Sequence, residues 1–233
     1  MKVVTEMESL THRQIFNAWR QSGDLTTQNA QWKRLRSLVR KGELIVVGHD
    51  SYIWSSEANL RPYRPVLSAV ASHVLDEMSE RYGRMNYTLF ELTWLNDFLN
   101  HLLGTNALFV MVERDYAPFV FEFLSERHAG GVLLDPSPED FFRYLDNRTI
   151  LVVKKPSQGP LNRYMPHVAP PEQWLADIIA DKRLSASFEG AELPKIFSAF
   201  GSRYVVNKSA LFRYARRRGV DVRIRNLLEG AMA

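Results

Sequence analysis

The chain has no cysteine in 233 residues. A disulfide framework, a thiol nucleophile and any zinc or iron–sulfur site built on cysteine are therefore excluded, which suits a reducing compartment. Long apolar runs are missing too. The longest, such as Ala107 to Val112, fall far short of the ~18 residues that a membrane span needs. The sequence does not open with a basic stretch followed by an apolar one, so no export signal is expected. There is no Gly-rich phosphate loop ending in Lys-Ser/Thr, no G-x-S-x-G elbow and no H-E-x-x-H, and the six histidines are scattered. These absences lead to the expectation of a soluble cytoplasmic protein that is not an enzyme, with no cofactor, bound metal or membrane partner.

What is present is ordinary globular material, 45% hydrophobic and 24% charged, enough to bury one large core or two smaller ones. The net charge of +4 is unevenly spread. Residues 1 to 60 carry 8 Lys and Arg against 6 Asp and Glu, residues 61 to 170 carry 11 against 13, and residues 171 to 233 carry 11 against 7. A neutral middle between basic ends points to a few defined contact surfaces rather than to general polyanion binding.

From Glu8, the residues Leu10, Ile15, Phe16 and Trp19 recur with helical spacing until Ser22-Gly23. Thr26 or Thr27 can cap a second helix from Gln28 to Lys41, which Gly42 stops. The period then changes to the alternation of a hairpin, Glu43 to Val47 and Tyr52 to Trp54 about the turn Gly48-His49-Asp50-Ser51. Helix, turn, helix and hairpin in this order predict a winged helix-turn-helix over residues 1–60.

On a helical wheel Trp32, Leu35, Leu38 and Val39 share one arc, and Asn29, Lys33, Arg36 and Arg40 the opposite one, with Arg34 and Lys41 on the flank. Arg and Lys can donate to guanine O6 and N7 and Asn can pair with adenine, while flanking cations hold phosphates. The run from Gln28 to Lys41 contains five cations and no acid. It predicts a DNA-reading helix, with His49, Ser51 and Tyr52 of the wing near the sugar-phosphate backbone.

Ser55 to Pro65 reads as a linker, and residues 61–233 as a second region. There helix-like stretches (Val66 to Arg81, Trp94 to Leu103, Asp115 to Arg127, Ser137 to Asp146) alternate with strand-like ones (Tyr87 to Leu92, Ala107 to Glu113, Gly131 to Leu134, Thr149 to Lys154). This alternation predicts an α/β sheet, followed by a loop at Pro156-Ser157-Gln158-Gly159-Pro160 and a helical C-terminal part. Asp135 followed by Lys154 echoes the acid and lysine of a PD-(D/E)xK nuclease, with Val152 where the second acid belongs and Glu113 as its substitute. That metal-dependent nuclease is the competing function. His101 reads as a packed or partly exposed side chain and the i, i+4 pair Asp177 and Asp181 as surface charges.

Pro170-Pro171 opens an amphipathic helix with Trp174, Leu175, Ile178 and Ile179 inside, a second runs from Glu192 to Phe200, and a third starts at Asn207. This third helix carries Arg213 and ends in Arg216-Arg217-Arg218-Gly219, cations that complement the helix dipole and can face an acidic partner or a DNA phosphate.

Together with the N-terminal pattern, the segments Thr93-Trp94-Leu95-Asn96-Asp97-Phe98, Glu172 to Lys182 and Leu211 to Gly219 resemble the AbiEi-like type IV antitoxins. The resemblance implies a bacterial autoregulator that dimerises on repeats in its own operator. It also implies a C-terminal region that neutralises a cognate nucleotidyltransferase toxin; the cations of the third helix, Arg213, Arg216, Arg217 and Arg218, are the candidate partner-binding residues. The substantial α/β middle segment departs from the family pattern.

Overall fold

The computed structural model describes residues 9–24, 26–55, 60–155, 159–187 and 192–230. Glu8, residues 56–59 of the expected linker and residues 156–158 of the expected loop lie outside them.

The first helix, α1 (His12–Gln21), opens with a capping box. Thr11 Oγ1 accepts the Gln14 N–H while the Thr11 N–H donates to Gln14 Oε1 at 2.8 Å. It begins at His12 rather than Glu8 because Leu10 is held extended, its N–H and C=O both bonded to Tyr52 at 2.8 and 2.9 Å. Thr27 caps α2 (Gln28–Lys41), and Gly42 ends it at φ +80°, a conformation that a side chain would strain. The strands β1 (Leu44–Gly48) and β2 (Ser51–Trp54) form an antiparallel hairpin that pairs Val46 with Tyr52. Ile15, Phe16 and Trp19 of α1 meet Leu35 and Val39 of α2 and the hairpin residues Leu44, Val46 and Tyr52 in one core.

The second region is a mixed α/β layer. Its strands are β3 (Thr88–Glu91), β4 (Leu108–Val112), β5 (Val132–Leu134) and β6 (Ile150–Lys154), in the order β3-β4-β6-β5. β3 is antiparallel to β4, and β4, β6 and β5 are parallel. Period-two alternation sends Leu108, Val110, Ile150 and Val152 to one face against α3 (Ala69–Tyr82) and α4 (Ala117–Ser125). Phe109, Met111, Leu151 and Val153 go to the other face against the C-terminal helices. Coverage on both sides is why the two central strands read as unbroken apolar runs.

Beyond the sheet lie α5 (Pro138–Tyr144), α6 (Pro171–Ala180), α7 (Lys182–Ser185), α8 (Glu192–Gly201), α9 (Lys208–Arg218) and α10 (Asp221–Gly230). Trp174 of α6 sits among Tyr63, Phe98 and Phe200 at ring separations of 5.1–5.8 Å.

Local chemistry moves several boundaries. α3 starts at Ala69, not Val66, where Ser68 accepts the Ala71 N–H at 3.1 Å. The expected helix from Trp94 to Leu103 is a 3-10 turn over Leu92–Asp97, because the Asn96 side chain bonds both the N–H and the C=O of Leu103 and closes a loop. The expected helix from Asp115 is a 3-10 turn (Arg114–Tyr116) leading into α4. The described end of the linker is docked rather than free: Arg61 exchanges backbone bonds with Arg203 and Val205, and an Arg64 Nη donates to the Arg40 carbonyl at 3.0 Å.

Candidate functional site

Because Leu35 and Val39 are buried against α1, the opposite side of α2 must face outward. Asn29, Lys33, Arg36 and Arg40 are all exposed there. Among the described residues, Lys33, Arg36 and Arg40 make no ion pair with an acid.

The flanking residues are placed differently. Arg34 is committed within the first lobe, formed by α1, α2 and the β1–β2 hairpin, its guanidinium 2.7 Å from Asp24 and 4.4 Å over the Trp19 ring. Lys41 lies 3.8 Å from Glu43 in an exposed pair. On the hairpin His49 is exposed and Ser51 half-buried, whereas Tyr52 is buried because its ring completes the core between α1 and α2. Spacing alone missed the device at the hairpin tip. Asp50, at φ +50°, accepts the His12 N–H at 3.0 Å and contacts His12 Nδ1 at 2.6 Å. His12 in turn stacks on Trp32 at 4.8 Å.

The exposed face of α2 is open to solvent and, at Lys33, Arg36 and Arg40, also borders a hollow. It forms one wall of a cleft of about 870 Å³, whose other wall is the loop 159–164 together with Asn207, Ala210 and Arg213 along the first half of α9. Asn162 shapes that loop by accepting the N–H groups of Tyr164 and Met165, both at 2.9 Å. Tyr164 anchors it on the first lobe by packing into the α1–α2 core. Arg163 and Arg213 are exposed and form no ion pair among the described residues; both also border a second hollow beside His12, Trp32, His49 and Tyr52. The two hollows therefore make one groove with Lys33, Arg36, Arg40, Arg163 and Arg213 along it. The acid in the larger hollow is Glu172, where burial pushes the carboxyl above the usual range against the Asn207 N–H, 2.7 Å away, and the charge of Arg163.

The expected partner-binding arginines divide. Arg213 belongs to the groove, and Arg216 and Arg217 are exposed on α9. Arg218 turns inward, with Nε 2.9 Å from Asp177 Oδ1 in contact but without a directed hydrogen bond. Asp177 is therefore no surface charge: it is 3% exposed and accepts the Tyr214 hydroxyl at 3.0 and 3.2 Å. Asp181 caps α7 and pairs with Arg183 at 2.7 Å. His101 is exposed.

The sheet does bring together part of the nuclease constellation. Asp135, following β5, lies 3.0 Å from Lys154, but Arg183 occupies the same carboxylate at 3.0 Å. Burial would raise Asp135, yet the hydrogen bonds from Lys154 and Arg183 outweigh it and hold the carboxyl below its usual range. Glu113 faces elsewhere, accepting from Asn86 at 3.3 Å beside Lys155, whose ammonium donates to Asn86 at 2.9 Å. Among the described residues no group of three His, Asp or Glu is arranged to hold a metal, and no helix is long and apolar enough to cross a membrane.

The chain has a distant similarity to the crystal structure of the RV2827C protein from Mycobacterium tuberculosis. The identity is 13% over 97% of this chain and 77% of that one, with a TM-score of 0.29. No curated protein matches it. The model of a family of unknown function, DUF6577, matches residues 30–233, and the chain belongs to that family.

Proposed function

We propose that the protein is a non-enzymatic, sequence-specific DNA-binding regulator whose first lobe works as a winged helix-turn-helix. The observation that carries this reading is the outer face of α2, where Lys33, Arg36 and Arg40 stand exposed, without acidic partners among the described residues, between a preceding helix and a following hairpin. Unpaired cations in a row repel one another, and a polyanion relieves that repulsion. Asn29 and these cations supply base contacts, and His49 and Ser51 supply backbone contacts. Arg163 and Arg213 extend the positive surface onto the second lobe. One such lobe covers a single half-site, so the protein acts as a homodimer on a repeat in its own operator. The antitoxin role implied by the AbiEi resemblance falls to the outer side of α9, at Arg216 and Arg217, since Arg218 is held by Asp177.

Fluorescence anisotropy of the full chain tests this, using duplex from the upstream region of its own gene and a scrambled duplex, from ~50 to 200 mM salt. Binding of the native duplex ~1,000-fold or more tighter than the scrambled one is expected. Equal or absent binding refutes the reading.

A further inference from the structure

We infer that the cleft between the two lobes is a binding site for a nucleoside polyphosphate, whose presence excludes DNA from α2. Its volume of about 870 Å³ lies within the roughly 300–1,000 Å³ of small-molecule sites. Cations stand on both walls, with Lys33, Arg36 and Arg40 on α2 facing Arg163 and Arg213, and none of them has an ion-pair partner among the described residues. That excess is more than a single monoanion neutralises, and it suits a chain of phosphates, which accepts several charge-assisted hydrogen bonds at once.

One further feature points beyond phosphate alone. Glu172 stands in the same cleft, and a carboxylate among cations suits the hydroxyl groups of a ribose or the amino group of a base. The ligand therefore carries phosphates at one end and hydrogen-bond donors at the other.

The exclusion of DNA rests on the reading of α2 as the DNA-binding helix; the ligand site does not. Both occupants would use Lys33, Arg36 and Arg40, so each weakens the other by the same factor.

Isothermal titration of the full chain with ATP and with pyrophosphate tests the site. Saturable ATP binding below about 1 mM is expected, with pyrophosphate weaker and Arg163→Ala and Arg213→Ala each weakening ATP about tenfold. Both residues are exposed and have no ion-pair partner among the described residues, so the variants should melt close to the wild type. Arg223→Ala, exposed on α10 and outside the cleft, should bind ATP as the wild type does. No saturable ATP binding, or binding that ignores Arg163 and Arg213, overturns the site, and pyrophosphate as tight as ATP overturns its nucleoside half. Adding ATP to the protein–duplex complex then tests exclusion. Release of the duplex supports it, and a duplex that stays bound at saturating ATP overturns it. A wild type that binds no duplex overturns the DNA reading instead, while the titration still decides the site.

Discussion

Arg218, at the end of α9, reaches Asp177 on α6 at 2.9 Å, joining the last two turns of one helix to the middle of another inside the C-terminal core. The pair has little water around it, with side-chain exposures of 21% and 4%. Burial, offset in part by Arg218 and Tyr214, raises the Asp177 carboxyl to about 6 from an ordinary 3.8.

The consequence for stability follows from the sign of that shift. The unfolded chain gives up the proton at lower pH than the folded one, so the Asp177 contribution is full below about pH 4 and is lost as pH rises to about 6. A shift of this size corresponds to roughly 2–3 kcal/mol. Urea titrations of wild type and Asp177→Asn across that window should show the variant with the flatter profile; parallel profiles would contradict the assignment. Arg218→Ala at neutral pH should cost about 3 kcal/mol, because it leaves a buried carboxylate without its cation.

On α2 the expected effects separate by role. Arg36→Ala should cost ~1–3 kcal/mol against duplex and relax the preference at one base position. Lys41→Ala should weaken all sequences alike and reduce the salt slope by about one. Arg34→Ala should act mainly on stability, since its guanidinium is engaged with Asp24 and Trp19. Anisotropy against a panel of single-base duplex variants distinguishes the three, and an unchanged profile for Arg36→Ala would remove it from the base-reading set.

The fold was legible where one local rule decided the outcome. Thr27 and Gly42 bound α2, Asn207 and Gly219 bound α9, and the apolar runs around Val110 and Val152 mark central strands. It was illegible where a side chain replaced a backbone partner, as Asn96 does in ending the expected helix at Asp97. The outward face of α2 was visible in its periodicity. Its opposing wall was not, because Arg163 and Arg213 lie more than 120 residues away in sequence and meet α2 only through tertiary packing. The same gap hid Asp177: a wheel shows an acid four residues from Asp181, but not the Arg218 that comes to meet it.

The hairpin tip offers an independent check on the first lobe. Asp50 adopts φ +50° and binds the start of α1 through His12. Asp50→Ala loses both the acceptor and the tolerance of a left-handed backbone, at a cost of about 1–2 kcal/mol. Asp50→Asn keeps an oxygen for the His12 N–H and tolerates the same backbone, so it should cost less. Urea denaturation with both variants gives the order, and an Asn variant as damaged as the Ala variant would show that charge, not geometry, fixes the tip.

Lys155 supplies the last test, on the sheet rather than the lobes. Its ammonium is buried against Asn86, and burial lowers it to about 8 although Glu113 and Asp177 pull the other way. For a lysine this means that the folded protein sheds the proton first, so stability should rise as pH climbs from about 8 toward the ordinary 10.5. Lys155→Met keeps most of the apolar stem and removes the charge. It should match or exceed the wild type near pH 7 and lose the rise above pH 8, because a buried cation is costly to hold in the protonated form. Thermal melts at pH 7, 8 and 9 decide it: a wild type that fails to gain on the Met variant across that range would place the Lys155 amine in contact with water.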